Sequence, residues 1–215
     1  MSSIEQTCHF LNLFDYFTSK EVVWRQHTFM TETGITDKEI VKKLKSTSDK
    51  EAVFSLLVKK YQERLYWHIR RMVISHDDTD DILQNTFLKI WKGLDNFRGD
   101  ASLYTWLYRI ATNETLTFLK SKEKRKALSM NDEENPIENR LKSDDGFNGS
   151  ELQTKLQKFI LMLPDKQRIV FNMKYFEEMK YEEIAAITGT SVGALKASYH
   201  HAVSKIKTMF KNEML

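Results

Sequence analysis

Apolar residues recur at helical spacing over a long stretch of this chain, and no other feature constrains the fold more. They stand three or four positions apart at Val53, Phe54, Leu57, Val58, Tyr61, Leu65, Ile69, Met72 and Val73. This spacing aligns them on one face of an α-helix, and other elements must cover that face. The 215 residues include only two prolines and seven glycines, which favours long helices over many short strands. We predict an all-α fold.

Polar residues mark where the helices begin. Thr36 and Glu39 have the spacing of a capping box, in which each side chain bonds the other residue's backbone amide. Ser48 and Glu51 repeat this spacing at the start of the periodic helix. The acidic residues within 77–81 predict the start of a third helix, because carboxylates suit the positive end of a helix dipole. That helix is expected to end near Gly93. A fourth helix is predicted from about Ser102 to Lys122.

The composition of residues 129–150 separates two domains. This stretch contains Pro136, Gly146, Gly149, many acidic residues and few apolar ones, which is typical of a flexible, solvated linker. We therefore predict two small helical domains, at 36–128 and 151–213, joined by an acidic linker. Residues 1–35 are interpreted as an extension, or as lying largely upstream of a translation start at Met30, which is slightly favoured.

The second domain has the pattern of a helix-turn-helix between Tyr181 and Phe210. Ala185 is small enough for a close helix crossing, Gly189 supplies a left-handed turn, and Leu195 anchors the second helix. This spacing indicates a DNA-binding module.

The overall balance excludes several classes of protein. The chain is 41% apolar and has a formal charge of +3, so it can build a core, and a nucleic-acid surface must come from local clusters of charge. Its single cysteine, Cys8, excludes an internal disulfide framework. No apolar run approaches the roughly 18 residues that span a bilayer, and the N-terminus lacks the pattern of a secretion signal. We expect a cytoplasmic protein without membrane insertion.

Two groups of residues have side chains that can bind metals, and we interpret neither group as a metal site. Asp77, Asp78, Asp80 and Asp81 could offer oxygen ligands to magnesium, but solvated carboxylates at a helix start are the better interpretation. His68, His200 and His201 lack the spacing of a zinc-binding helix. We predict no metal and no cofactor.

The stretch 96–113 combines aromatic, basic and small polar residues, a mixture that can stack on unpaired bases and neutralise phosphates. Arg109 and Asn113 share a helix face and are the better contact candidates. Trp106 is equally compatible with a core position, and Phe97 and Tyr104 could either stack on bases or hold the loop to the core. The basic run after this segment, from Lys120 to Lys126, is expected to contact phosphate.

Two motifs resemble a known family. The segment Asp81–Trp91 (DILQNTFLKIW) followed by FRGDASLYTWLYRIATN is similar to region 2 of the extracytoplasmic-function (ECF) sigma factors, group 4 of the sigma-70 family. LPDKQRIVFNMKY, followed by YEEIAAITGTSVGALKASYHHAVSKIK, is similar to their region 4. The resemblance covers about 38–128 and 151–210, in the family's order.

The resemblance implies three binding surfaces. Core RNA polymerase would dock on the helix that carries Asp81, Gln84, Phe87 and Trp91. The −10 promoter element would be melted and bound by Asn96, Phe97, Arg98, Ser102, Tyr104, Thr105, Trp106, Arg109, Asn113, Lys120, Lys122, Lys124 and Arg125. The −35 element would be read in the major groove by Thr190, Ser191, Val192, Gly193, Lys196, Ser198, Tyr199, His200 and Lys205.

The same resemblance implies a binding protein rather than an enzyme, with core polymerase, promoter DNA and an anti-sigma factor as partners. Two departures from the family pattern matter. Asn85 stands where the family commonly has Glu, and Ser198 where many members carry Arg. These differences leave one docking contact and the −35 sequence preference open.

Two other functions remain alternatives at the level of sequence. A stand-alone helix-turn-helix regulator would explain residues 151–210 but leave the loop 94–102 without a role. A metal-dependent nucleic-acid enzyme would use the acidic residues of 77–81. Binding to core polymerase separates the sigma factor from both.

Overall fold

The computed structural model describes residues 34–46, 49–128 and 151–213. Thr36–Leu215 is the second of two units, and the predicted extension, 1–35, lies almost wholly outside the described residues. The N-terminal helices of the second unit are α1 (Asp37–Ser46), α2 (Lys50–Val73), α3 (His76–Gly93) and α4 (Leu103–Leu128), with a short 3₁₀ turn at Leu94–Asn96.

The C-terminal helices are α5 (Glu151–Leu161), α6 (Asp165–Tyr175), α7 (Tyr181–Thr188) and α8 (Val192–Glu213). The predicted all-α class is confirmed, since the described ranges hold helices and turns and no strand. Within the same ranges, no helix combines the length and the apolar character needed to cross a membrane. The predicted linker, 129–150, lies outside the described residues, and the two domain boundaries stay predictions.

One predicted capping box is confirmed and the other is displaced. The Glu39 carboxylate accepts bonds from the Thr36 amide (2.6 Å) and hydroxyl (2.8 Å), and the Glu39 amide donates to the Thr36 hydroxyl (3.2 Å). These bonds lower the pKa of Glu39. At the start of α2 the capping residue is Asp49, not Ser48, because the Asp49 carboxylate accepts from the Ala52 amide at 2.9 Å. A carboxylate at this position accepts a hydrogen bond from a first-turn amide that has no carbonyl partner within the helix.

The apolar face of α2 forms the centre of the N-terminal core, as its spacing predicts. Val53, Leu57, Tyr61, Leu65, Ile69, Met72 and Val73 are buried, while Phe54 and Val58 are half-buried. They pack with buried residues of α3 and α4, which are Ile82, Ile90, Leu103, Leu107 and Ala111. Each fully buried side chain of this size contributes about 1.5–3 kcal/mol.

A polar contact joins α1 to this core. The buried hydroxyl of Tyr61 donates to one oxygen of Asp37 at 2.6 Å, and Lys60 pairs with the other oxygen at 2.6 Å. Burial and this carboxylate raise the pKa of Tyr61 well above its usual value. The phenol therefore remains a neutral donor, and α1 is held at a defined position along α2.

The end of α2 has an unusual backbone. Ile74 has φ +70° and ψ −48°, and the Ser75 amide donates across it to the Val73 carbonyl at 2.9 Å. This is a γ-turn of the strained hand, which β-branched residues rarely adopt. The Ile74 side chain is buried, so packing holds the turn. The turn brings Ser75 to the start of α3.

Helix α4 is longer than predicted, ending at Leu128 rather than near Lys122. The additional residues 123–128 (EKRKAL) are strong helix formers, and no glycine or proline interrupts them before Pro136. The basic run therefore belongs to a regular helix.

The predicted helix-turn-helix is formed by α7 and α8. Gly189 ends α7 with φ +69°, a left-handed conformation that glycine adopts without strain, and its amide donates to the Ala185 carbonyl at 2.9 Å. The turn is packed on a core that includes Ile160, Met173, Ile184, Leu195, Ala202 and Ile206. The exposed face of α8 is thereby held at a fixed angle to α7.

The cap of α3 generates a test. The Ser75 hydroxyl accepts from the Asp78 amide at 3.2 Å, so Ser75→Ala should lower the free energy of unfolding by about 1 kcal/mol. Urea denaturation followed by circular dichroism measures this loss. The matched control is Ser55→Ala, at an exposed position within α2, where the loss should be absent. Equal losses in both variants would contradict a capping role for Ser75.

Candidate nucleic-acid interface

The loop before α4 is held in place by its own polar residues. The Ser102 hydroxyl accepts from the Thr105 amide at 3.0 Å and bonds the Thr105 hydroxyl at 2.8 Å. Thr105 is only 7% exposed, whereas Ser102 is exposed. Gly99 has φ +87°, which allows the chain to turn before the helix begins. Ser102 and Thr105 thus set the start of α4, and direct DNA contact by them stays a prediction.

A cavity of about 360 Å³ opens beside this helix start. It is lined by Lys89, Gly93, Asn96, Trp106, Ile110, Asn113 and Glu114. Trp106 and Ile110 give it an apolar surface, and the two asparagines contribute amide donors and acceptors. Lys89 and Glu114 form an ion pair at its edge. Of the loop residues 96–102, the cavity includes Asn96 alone, so the loop by itself does not form the pocket.

Trp106 is half-buried and lines the cavity, so neither sequence alternative describes it fully. Its ring lies against Phe97, with centroids 5.0 Å apart and planes inclined by 47°. A Cβ atom built on Gly93 would lie 3.1 Å from Cζ2 of Trp106. Gly93 therefore allows the indole ring to pack close to the end of α3. Phe97 supports the ring from the loop.

Tyr104 is engaged with another ring rather than standing free. Its centroid lies 4.3 Å from that of Tyr108, and Tyr108 in turn meets His68 edge-on at 5.0 Å. Burial raises the pKa of both tyrosines well above the usual value, with the Glu177 charge adding to the effect. Both phenols stay neutral, and Tyr104 has one ring face occupied.

Arg109 contacts the C-terminal helices. Its Nε and Nη2 atoms donate to the carbonyl of Ala186, at 3.1 and 2.5 Å. Ala186 belongs to the last turn of α7, where carbonyls lack partners within the helix. Asn113, one turn further along α4, is exposed and lines the cavity. Asn113 and Arg109 share a helix face but differ in their contacts. The Asn113 side chain is available to a ligand in the cavity, whereas the Arg109 guanidinium is hydrogen-bonded to the Ala186 carbonyl.

A buried polar cluster beside Arg109 was missed by the sequence analysis. His68 Nδ1 lies 2.7 Å from the Glu177 carboxylate, and His68 Nε2 lies 3.0 Å from the Thr112 hydroxyl. The Arg71 guanidinium lies over the Phe176 ring at 4.6 Å. A histidine beside buried Ile69 is a signal that a polar partner is needed, but nothing in the sequence names Glu177 as that partner.

Lys122 of the predicted basic run has an acidic partner among the described residues. Lys122 forms an ion pair with Asp78 at 2.9 Å, whereas Lys120, Lys124 and Arg125 are exposed. In the acidic stretch, Asp80 also lies 3.5 Å from His76. Across the described part of the chain, no three acidic, histidine or cysteine side chains are grouped to hold a metal ion.

The predicted docking residues on α3 differ in their burial. Asp81 and Gln84 are exposed. Phe87 and Trp91 are half-buried and meet Phe54 edge-on, with centroid distances of 6.2 and 5.1 Å. The sequence analysis missed Leu88, which is 51% exposed on the same helix. An exposed large apolar side chain is a signal that only the structure provides.

The recognition helix exposes most of the predicted residues. Thr190, Ser191, Gly193, Lys196, His200 and Lys205 are exposed, and Val192, Ser198 and Tyr199 are half-buried. The Ser191 hydroxyl accepts from the Ala194 amide at 3.3 Å and caps α8. Tyr199 stacks on Phe171 at 5.8 Å, and burial raises its pKa. Tyr199 thus supports the helix from its packed side.

Two family models match the chain. Sigma-70 region 2 matches residues 57–125, and Sigma-70, region 4 matches residues 153–206. The first match includes α3, the loop and most of α4, and the second includes the helix-turn-helix. A stand-alone helix-turn-helix regulator would not account for the first.

Curated relatives align over most of their length. The ECF RNA polymerase sigma-E factor of Escherichia coli (strain K12) is 31% identical over 183 residues, covering 78% of this chain and 91% of the relative. That of Haemophilus influenzae is 29% identical over 181 residues, covering 80% and 94%. The RNA polymerase sigma-H factor of Pseudomonas aeruginosa is 30% identical over 181 residues, covering 77% and 89%.

Solved structures share the fold. CnrH, in complex with the cytosolic domain of CnrY, superposes with a TM-score of 0.58 at 22% identity, covering 82% of this chain and 97% of that chain. The sigma factor RpoE from Bartonella quintana, in complex with the anti-sigma factor NepR, gives a TM-score of 0.57 at 21% identity, covering 74% and 96%.

The contact between Gly93 and Trp106 can be tested directly. In Gly93→Ala the added methyl group should displace the indole ring by a few tenths of an ångström and shift the Trp106 indole N–H resonance in a ¹H–¹⁵N spectrum, because its Cβ would lie only 3.1 Å from Cζ2 of the ring. In the control, Gly193→Ala, the methyl group meets no atom within 4 Å. An unchanged Trp106 resonance in Gly93→Ala would contradict the close packing.

Proposed function

The chain belongs to the ECF RNA polymerase sigma factors of the sigma-70 family, and from this premise we propose how its residues divide the work of transcription initiation. Sigma factors bind core RNA polymerase and direct it to promoters. The observation that carries the proposal is the cavity between α3 and α4, which lies in the same chain as an exposed recognition helix. One module suits an unpaired base and the other suits duplex DNA.

We propose that a flipped base of the −10 element enters the cavity. An unstacked base can stack on the Trp106 ring while the amides of Asn96 and Asn113 bond its edge. Opening the stack costs a few kcal/mol, which stacking and hydrogen bonds offset. The exposed cations Arg98, Lys120, Lys124 and Arg125 would then neutralise the phosphates along the strand. Lys122, already paired with Asp78, would contribute less.

The −35 element would be read by α8 in the major groove. Thr190 and Ser191, at the helix start, suit phosphate contacts, because backbone amides and the positive end of the helix dipole point there. Lys196, His200 and Lys205 are exposed and can reach base edges or phosphates. Tyr199, stacked on Phe171, would hold the helix rather than read a base.

Core polymerase would dock on α3. The exposed side chains of Asp81, Gln84 and Leu88 offer a charge, an amide and an apolar contact on one helix, a combination typical of the centre and rim of an interface. Phe87 and Trp91 would act from beneath, by holding α3 on Phe54. This family consists of transcription regulators, and phosphodiester chemistry would belong to the polymerase.

The experiment that tests the proposal is reconstitution with bacterial core polymerase. The chain should co-purify with core polymerase and support open-complex formation on a cognate promoter, detected by permanganate reactivity of the −10 strand. Failure to bind core polymerase would remove the proposed docking surface on α3.

Within this assay, Asn113→Ala should reduce open-complex formation about tenfold, the equivalent of about 1.4 kcal/mol for a lost hydrogen bond to the base. Core binding should be unchanged. Asn212→Ala, at an exposed position near the end of α8, is the matched control and should behave like the parent chain. An equal loss of core binding in Asn113→Ala would instead indicate a role in folding.

We further propose an anti-sigma factor as the controlling partner, since RpoE, which shares this fold, was solved with one. Such a protein should compete with core polymerase for the chain, because it would cover docking surfaces. Displacement of labelled chain from core polymerase measures the competition. A candidate that binds the chain while core polymerase stays bound would contradict this mode of control.

A further inference from the structure

Helices α6 and α7 pack against α2 and α4, and polar groups make much of this contact. We propose that the turn between α6 and α7 is a latch, seated through Glu177, and that the latched state and −10 DNA compete for Arg109. The competition part of this proposal rests on the proposed function, with Arg109 as the −10 contact that the sequence pattern predicts. The latch itself rests on contacts within the chain.

Glu177 is a buried carboxylate with a buried partner on the other side of the contact. Its side chain is 7% exposed and that of His68 is 2% exposed, with Oε1 and Nδ1 2.7 Å apart. His68 also bonds the Thr112 hydroxyl at 3.0 Å through Nε2, so both ring nitrogens have partners. Removing a buried charge from such a pair is costly, because the remaining partner keeps the desolvation penalty.

Arg71 completes the seat for this turn. Its guanidinium lies over the Phe176 ring at 4.6 Å, and its backbone carbonyl accepts from the Asn172 side chain at 3.4 Å. Burial lowers the pKa of Arg71, and the Glu177 charge opposes that shift. The Phe176 ring therefore packs on the Arg71 guanidinium, and the neighbouring Glu177 carboxylate contacts the His68 imidazole. Arg71 and His68 both belong to α2. A charge of the wrong sign at position 177 would face both.

Arg109 makes the second attachment. It donates two hydrogen bonds to the Ala186 carbonyl, which satisfies one of the free carbonyls at the end of α7. A cation also suits the negative end of that helix dipole. The same guanidinium stands one turn from Asn113, which lines the cavity. Arg109 cannot hold the Ala186 carbonyl and a DNA phosphate with the same donors.

The geometry of a promoter makes the two states exclusive. The −10 and −35 elements are about 25 base pairs apart by their numbering, which corresponds to about 85 Å of B-DNA at 3.4 Å per base pair. In the latched state α7 packs directly on α4, and packed helices have axes about 8–10 Å apart. The recognition module and the cavity must separate before both can bind one promoter, and separation frees Arg109.

The test compares two charge reversals at adjacent positions. Glu177→Lys places an ammonium against Arg71 and His68, whereas Glu178→Lys changes an exposed residue. Both variants gain the same charge, so non-specific attraction to DNA rises equally. Energy transfer between dyes at Ser55→Cys and Thr208→Cys, both exposed, in a Cys8→Ser background, reports domain separation without DNA or polymerase. We expect transfer to fall in Glu177→Lys and not in Glu178→Lys.

The second readout is affinity for a single-stranded −10 oligonucleotide. Glu177→Lys should bind it about tenfold more tightly than Glu178→Lys, because apparent affinity rises with the fraction of chains in the competent state. In an Arg109→Ala background the gain should disappear. Circular dichroism checks that the helices are retained, and Glu177→Gln, with a smaller expected opening, gives the same comparison if the reversal unfolds the chain.

The outcomes separate the parts of the proposal. Unchanged energy transfer in Glu177→Lys and Glu177→Gln would overturn the latch. Separation without a gain in oligonucleotide affinity, or a gain that persists in Arg109→Ala, would overturn the competition for Arg109. Core-polymerase binding is measured on the same preparations. Its loss would indicate failure of the proposed function and not of the latch, because the dye measurement needs neither polymerase nor DNA.

Discussion

The buried face of α2 is the constraint on which the remaining structure depends. Its apolar residues pack against α3 and α4, Tyr61 binds α1 through Asp37, and the C-terminal end carries His68 and Arg71 to the contact with α6 and α7. A single helix thus supports both the cavity and the contact with α6 and α7. Because the cavity lies between α3 and α4, which share this support, its shape depends on packing several turns away.

Much of this fold follows from local patterns in the sequence. The α2 face, the Thr36–Glu39 capping box and the turn at Gly189 depend on residues a few positions apart, and spacing alone predicts them. The displaced cap at Asp49 shows the limit, because Ser48 and Asp49 are both good capping residues and the sequence does not choose between them. The longer α4 follows from propensity, which the prediction gave too little weight.

The candidate site could be predicted only in part, for physical reasons. Composition predicts a nucleic-acid-binding role for the segment 96–113, but burial decides which of its side chains are available. Thr105 is buried and Tyr104 is half-buried, while Asn113 lines the cavity. The pairing of His68 with Glu177 joins positions that are 109 residues apart, and no periodicity encodes such a contact. Leu88 has the composition of a core residue and becomes notable only because the fold leaves it exposed.

The turn at Ile74 has a consequence for how this sequence can drift. A β-branched residue at φ +70° carries backbone strain of about 1–3 kcal/mol, and burying its side chain returns about 1.5–3 kcal/mol. A glycine at this position would relieve the first quantity and lose the second, while the unfolded chain would gain entropy. The opposing effects are of similar size. A position that is both buried and strained can therefore be close to neutral in evolution, and divergence at the junction of α2 and α3 need not signal a change in fold or function.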